Sequence, residues 1–484
     1  MPSVAHASRL SIANLRPHFF MLACAALMTV VVLFIRIGMG FEFPIPWNDE
    51  TAFTAQAFEF SRTGSFFVYG LNSERVVMWM PPGYMLLLAG VYKVFGYSFE
   101  ISRWVSTLLY LGAFGVGLAV IRSTLTGWRQ TLAMLLMLVA FLSPYSLAIA
   151  NIARMEGLYT LIFLLSLLAA VRGKYALGLA LVLFGATVHY NAVYFLLPYG
   201  ALVLWKIVRR ETLNIGPGEL LALVIAALAL AGYGLFVIKH IDGFWQDMRF
   251  QFDFKLGSPV MGGREGWTLL GLLLLVPCLQ LITHRRFGAE ALLSLYGVAF
   301  IAMALNGHSM WYSYAYCFGF FLLLLGVLVS TSTLSRNWWR VSWALIAGGL
   351  LYQLALHASS GNPQLDALKP RLSTLSREFL PAAEIQKVRT FIADLPADAT
   401  VSFGYSGVEP YFFADFARSG ARWTGSAHSV TQVFPARSVD YRVLCDSAMF
   451  PAYLAIYDWD GYPRKSQDSG CAIIRLSKDR ADEQ

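Results

Sequence analysis

The chain has 484 residues, 57% of them hydrophobic and only 14% charged, with a formal net charge of +8. Soluble proteins carry roughly 25% charged residues, so the composition excludes an ordinary soluble enzyme and marks a membrane protein. Lysines and arginines gathered in cytoplasmic loops give such a chain a basic excess, and the charge therefore calls for no nucleic-acid partner.

Apolar runs of about 16 to 22 residues recur from Phe19 to His357, each long enough, or nearly so, to cross a ~30 Å hydrocarbon core. The first is too long for a signal peptide and no small-x-small cleavage site follows it, so no cleaved leader is expected. Arg9 and Arg16 precede it. Later basic clusters are Arg122 with Arg129, Arg172 with Lys174, Lys206 with Arg209 and Arg210, His284 with Arg285 and Arg286, and Arg336 with Arg340. Placing all of them on the N-terminal side predicts eleven spans, near 17–39, 101–121, 131–150, 156–171, 175–188, 191–206, 217–238, 267–283, 289–306, 310–330 and 338–357. The N-terminus is then cytoplasmic and the C-terminus external. The fifth and sixth are short enough to be tilted or partly re-entrant.

Residues 80–95 are also apolar, but the stretch is short, opens with Pro81-Pro82-Gly83 and contains Lys93. Counting it as a span would move every later basic cluster to the outer face. It is therefore predicted to lie in the interface, with Lys93 at headgroup level. Residues 40–100 then form one external, membrane-hugging loop. Its aromatics Trp47, Phe53, Phe58, Phe66, Phe67 and Tyr69 are expected to seat it in the bilayer, with sugar stacking by one or two of them left open. The external side also receives 151–156, 189–191, 239–266, 306–308 and everything after His357. His308, in a Trp- and Tyr-rich run, reads as part of an aromatic interface belt.

The predicted organisation is a transmembrane domain over 1–357 and an external soluble α/β domain over 358–484. In the latter, a helical pattern covers 381–394 and strand-like runs cover 400–405, 441–445 and 471–476. Cys24, Cys278 and Cys317 fall within spans as packing residues. Cys445 and Cys471 flank predicted strands, where an oxidising compartment would allow them to pair and a reducing one would not.

Within the external loop, Asp49-Glu50, a small-residue-spaced amphipathic stretch, Gly64, Pro81-Pro82-x-Tyr84, Phe95-Gly96 and Arg103 follow one another. In order and spacing they resemble the first external loop of the GT-C glycosyltransferases, and within these the protein O-mannosyltransferase and lipid A aminoarabinose transferase group. Arg154-Met155-Glu156 is similar to that family's second motif, usually Arg-x-Asp. The motifs cover residues 15 to 210, and the remaining spans agree by hydropathy alone. Two departures are Trp79-Met80 before the prolines, where the family often has Lys or His, and Glu156 in place of Asp. The resemblance implies an inverting enzyme of the bacterial inner membrane. Such an enzyme moves a sugar from a polyprenyl-phosphate carrier to a lipid, glycan or protein acceptor on the external face. It leaves a divalent metal open and names no ligands for one.

The residues support that chemistry on their own terms. Sugar transfer to a hydroxyl needs a carboxylate to take the proton, and an anionic phosphate leaving group needs cations. Asp49 is the candidate base, with helix capping as its structural alternative; Glu50 stands in reserve. Glu156 either joins Asp49 or is neutralised by Arg154, because a carboxylate at that depth is costly unless paired. Candidates for the donor phosphate are Arg75, Lys93, Arg103, Arg154, His189 and Arg249, and each basic one among them could simply snorkel to lipid headgroups. Two other functions stay open. A transporter or flippase of lipid-linked saccharides would place ionisable groups near mid-bilayer, and a non-catalytic envelope protein would bind a partner through its tail.

Overall fold

Lipid offers the backbone no hydrogen-bond partners, so each apolar run must satisfy its own N–H and C=O groups as helix. The first ten runs do so in the computed structural model, which describes residues 12–38, 48–212, 214–256, 264–306, 313–330, 337, 340–349, 381–403, 408–424, 439–446 and 470–475. The helices in order are α1 (Ile12–Gly38), α2 (Asn48–Thr63), α3 (Gly83–Phe95), α4 (Phe99–Thr124), α5 (Gly127–Phe141), α6 (Pro144–Ala150), α7 (Glu156–Val171) and α8 (Tyr175–Gly185). A 3-10 turn (Tyr190–Phe195) leads into α9 (Leu196–Arg209), followed by α10 (Pro217–Lys239), α11 (Ile241–Leu256), α12 (Arg264–His284), α13 (Ala289–Asn306) and α14 (Ser313–Ser330). Residues 340–349 are helical, and the rest of the span predicted over 338–357 lies outside the described residues, as do Trp47 and His308.

Among the described residues, four helical stretches are each long and apolar enough to cross a membrane: Phe19–Gly38, α4, Tyr190–Arg209 and α10. Helices α3, α7, α8, α13, α14 and the Thr268–His284 part of α12 are apolar but shorter. The span predicted over 131–150 is not one rod. Helix α5 stops at Phe141, Ser143 caps a new helix with Pro144 in its first turn, and the two halves meet at 70°. The missing N–H and the ring of Pro144 disfavour an uninterrupted helix there, although α12 carries Pro277 inside it.

The bundle is assembled antiparallel. Arg36, near the end of α1, lies 5.5 Å from the Trp104 ring at the start of α4, while Met21 and Leu22 sit beside Leu118 and Ala119. Helices α13 and α14 approach most closely through two glycines. A Cβ on Gly297 would lie 2.6 Å from the Gly319 carbonyl oxygen, and one on Gly319 would lie 2.8 Å from that of Gly297. Small residues allow this contact where no hydrophobic drive between helices exists. Helix α10 is apolar all round and buries little besides Glu219 and Ala226, as suits a helix facing lipid.

Helix α3 is about 20 Å long at 1.5 Å per residue, short for a crossing. Tyr84, Leu88 and Tyr92 face inward and Leu86, Lys93 and Val94 outward. Tyr84 and Tyr92 hydrogen-bond Ser106 (2.9 Å) and Ser102 (2.6 Å) of α4. On the interfacial reading, cysteines placed at Asn72 and at Gly96 should both react with an impermeant thiol reagent added outside. Labelling of position 96 only after permeabilisation would break the eleven-span topology.

Most of the loop aromatics do not face lipid. Phe53 packs on Trp79 and Tyr84, Phe58 on Tyr97 and Phe413, and Phe66 on Phe60 and Phe236. Arg422 lies over Tyr69, and Phe67 is exposed. The physical reason is that the loop packs on itself, on α3 and on α10, and that a second layer, the chain's own tail, reaches Phe58 and Tyr69.

That layer contains α15 (Ala382–Ala393), α16 (Phe413–Ser419) and a four-stranded sheet ordered β2-β1-β3-β4. Strand β1 (Thr400–Phe403) pairs in parallel with β2 (Arg422–Thr424) and β3 (Tyr441–Asp446), and β3 pairs antiparallel with β4 (Gly470–Arg475). The boundary proposed at 357 and 358 lies outside the described residues. Phe413 stacks on Trp423 and belongs to the same apolar cluster as the bundle, and the Tyr97 hydroxyl donates to the Pro410 carbonyl at 2.6 Å.

Cys445 and Cys471 face each other across β3 and β4 and form a disulfide. The same corner is tied by Cys471 N–H donating to Glu384 (2.7 Å), a bond that holds this carboxyl below its ordinary pKa. Replacing both cysteines by serine should cost about 3 kcal/mol on the chain-entropy account, read as an earlier unfolding midpoint. A non-reduced digest yielding two free thiols would remove the expectation.

Candidate active site

The site forms where helix ends meet irregular buried backbone. Between α6 and α7 the chain runs through Asn151–Met155 without regular structure, and all five residues are buried. Irregular backbone at membrane depth survives only when protein or a polar cavity satisfies it. Here the first turn of α2 supplies a partner: Glu50 Oε1 accepts from the Ala153 N–H at 2.6 Å. The same carboxylate takes a two-pronged grip on Arg103 of α4, with Nε–Oε1 at 2.8 Å and Nη2–Oε2 at 2.6 Å. Both side chains are fully buried. Phe99 lies 4.9 Å beneath the guanidinium.

Arg154 anchors the second half. Its Nε and Nη2 donate to Glu156 at 2.8 to 3.2 Å, and its Nη1 reaches Asp49 Oδ2. Glu156 is fully buried, whereas Asp49 keeps 13% of its side chain exposed. Three acids and two arginines therefore meet at one end of the bundle. The Asp49 side chain bonds to Arg154. Glu156 is both neutralised by Arg154 and joined through it to Asp49, so the two alternatives of the sequence reading coexist.

The structure brings Asp49, Glu50, Glu156, Arg103 and Arg154 together and leaves the other candidates apart. Arg75 is held by Asp247 of α11 through Nη1–Oδ2 at 2.8 Å and Nη2–Oδ1 at 2.7 Å, with Gln246 accepting from Nε. Asp247 also accepts from the Met78 N–H at 2.6 Å, so this pair clamps the segment between α2 and α3 to α11. Lys93 is exposed on the outer side of α3, and Arg249 is exposed on α11. His189 is buried, its Nδ1 accepting from the Asn191 N–H at 2.9 Å and its ring 5.2 Å from Tyr159.

Sequence reading missed Asp247. Its one signal was an acid in an external segment rich in cations. It also gave no role to Pro81-Pro82-Gly83 beyond the motif. The Gly83 N–H donates to the Thr187 carbonyl at 2.7 Å, and a Cβ there would stand 2.7 Å from that oxygen. The glycine thus lets the start of α3 dock on the segment that carries His189. Trp79 is buried against Phe53, at the position where the resembled family often has a cation. Among the described residues no group of three His, Cys, Asp or Glu side chains is placed to hold a metal ion.

No protein-family model matches the sequence, and no curated protein matches it. Among solved structures, ArnT from Cupriavidus metallidurans bound to undecaprenyl phosphate is similar at a TM-score of 0.53 and 15% identity, over 94% of this chain and 97% of that one. The apo form of the same protein gives a TM-score of 0.43 at 13% identity, over 98% and 100%. The chain therefore has a helical membrane fold like that of the undecaprenyl-phosphate-bound structure, over 94% of its length.

Proposed function

We propose that the protein is an inverting membrane glycosyltransferase. It moves a sugar from a polyprenyl-phosphate carrier to a hydroxyl of a lipid, glycan or protein acceptor on the external face of a bacterial inner membrane. The observation that carries this reading is the unequal fate of the three acids. Glu50 and Glu156 are wholly enclosed and held by arginines, while Asp49 alone of the three keeps an exposed edge. That edge is where an acceptor hydroxyl can reach a base. The fold shared with a protein that binds undecaprenyl phosphate supports a long polyprenyl phosphate as the carrier.

In the proposed step the acceptor O–H gives its proton to Asp49 as its oxygen bonds to the anomeric carbon. The bond from that carbon to the phosphate oxygen breaks, and polyprenyl phosphate leaves as a dianion. Arg154, already touching Asp49, is the cation at hand for the charge that develops. One exposed carboxylate suits a single displacement, hence inversion. The ionisable groups of a transport path would instead lie near mid-bilayer, whereas these ion pairs sit at helix ends.

The test is incubation of purified protein with a panel of radiolabelled polyprenyl-phosphate sugars and acceptors. Release of polyprenyl phosphate with label transferred to the acceptor supports the reading. Movement of intact lipid-linked sugar across vesicles without transfer would replace it with the transporter.

A further inference from the structure

The molecule carries a second basic site, far from the first. A groove of about 500 Å³ opens between α1, α4 and the end of α7. Its walls are apolar, with Met21 and Leu22 of α1 facing Leu118 and Ala119 of α4, and its mouth carries Arg122 and Arg172. No acid lines it. Three of the arginines described above, by contrast, are held by carboxylates: Arg75, Arg103 and Arg154. Ser123, also at the mouth, already donates its hydroxyl to the Ala119 carbonyl at 2.8 Å, which leaves the guanidinium groups as the charged donors.

Position separates this groove from the proposed reaction. Trp104 stands beside Arg36 at the Asp49 end of the bundle, and Arg122 lies about 27 Å further along α4 at 1.5 Å per residue. That is about the thickness of the hydrocarbon core. The groove therefore belongs to the opposite membrane face. An apolar trough in a bilayer is filled by an acyl chain, and a pair of arginines at its rim selects the phosphate of a lipid with net negative charge.

We propose that Arg122 and Arg172 form a binding site for one anionic phospholipid of the leaflet opposite the reaction. Its acyl chain lies between α1 and α4, and its phosphodiester lies between the two guanidinium groups. The site is independent of the sugar-transfer reading, because neither arginine belongs to the proposed reaction.

The test is native mass spectrometry of the full-length protein in detergent, titrated with phosphatidylglycerol, phosphatidylcholine or inorganic phosphate. Wild type should retain one phosphatidylglycerol in preference to phosphatidylcholine, and millimolar inorganic phosphate should not displace it. Each Arg→Gln change should weaken retention about five-fold, and R122Q/R172Q about 25-fold. The R122K/R172K variant should keep most of it, which separates charge from folding. Equal retention of the two lipids by wild type would overturn the proposal. So would displacement by inorganic phosphate, or wild-type retention by the Gln pair with its thermal midpoint unchanged.

Discussion

Replacing Asp49 by asparagine is expected to lower sugar-transfer turnover by about 10²-fold or more, with thermal stability close to that of the parent. Asparagine keeps the shape and one acceptor oxygen for Arg154, which also retains Glu156. What it loses is the capacity to take a proton. Binding of the polyprenyl-phosphate donor should change little, because an anionic carrier owes its affinity to cations and to its apolar chain. Turnover and donor affinity measured on one preparation decide the matter. Near-normal turnover in well-folded D49N protein would return the search for the base to Glu50 and Glu156.

The other large effect belongs to Glu50 and Arg103. Both are fully buried and grip one another through two bonds, so removing either takes from the other its opposite charge. Glu50→Ala or Arg103→Ala should each destabilise the protein by about 3–5 kcal/mol, as measured for other broken buried pairs. The double variant should lose less than the sum of the two. Glu50→Gln, which keeps an acceptor for the Ala153 N–H, should fall between. Denaturation in detergent reads all four. A single variant as stable as wild type would show that the pair does not hold α2 against the Asn151–Met155 segment.

Hydropathy made the helical membrane body readable, because long apolar runs in lipid have few other forms to take. It could not show that the third run is broken. Pro144 was the visible signal, and a window average conceals one residue. The acids of the site were legible for a similar local reason: Asp49-Glu50 and Arg154-x-Glu156 are short motifs beside predicted spans. Their partners were harder. Arg75 meets an acid 172 residues away, and no local pattern distinguishes a cation reserved for an ion pair from one left for phosphate. The loop aromatics were misjudged for the same reason. An interface with lipid and an interface with the protein's own loop, helices or tail demand the same residue types.

The contact between Tyr97 and Pro410 joins residues 313 apart in the sequence. During synthesis the membrane helices enter the bilayer long before Phe413 and Trp423 leave the ribosome, and domains generally fold as they emerge. Helix α2, with Asp49 and Glu50 at its head, must therefore wait with Phe58 uncovered until nearly the whole chain has been translated. A ribosome that stops early releases a protein in which Phe58 lacks Phe413 and Tyr69 lacks Arg422, and exposed apolar surface of that kind is what proteases and chaperones act on. Chains cut short before residue 410 should therefore be cleared from the membrane faster than chains that carry the tail contacts, even where their helices have formed.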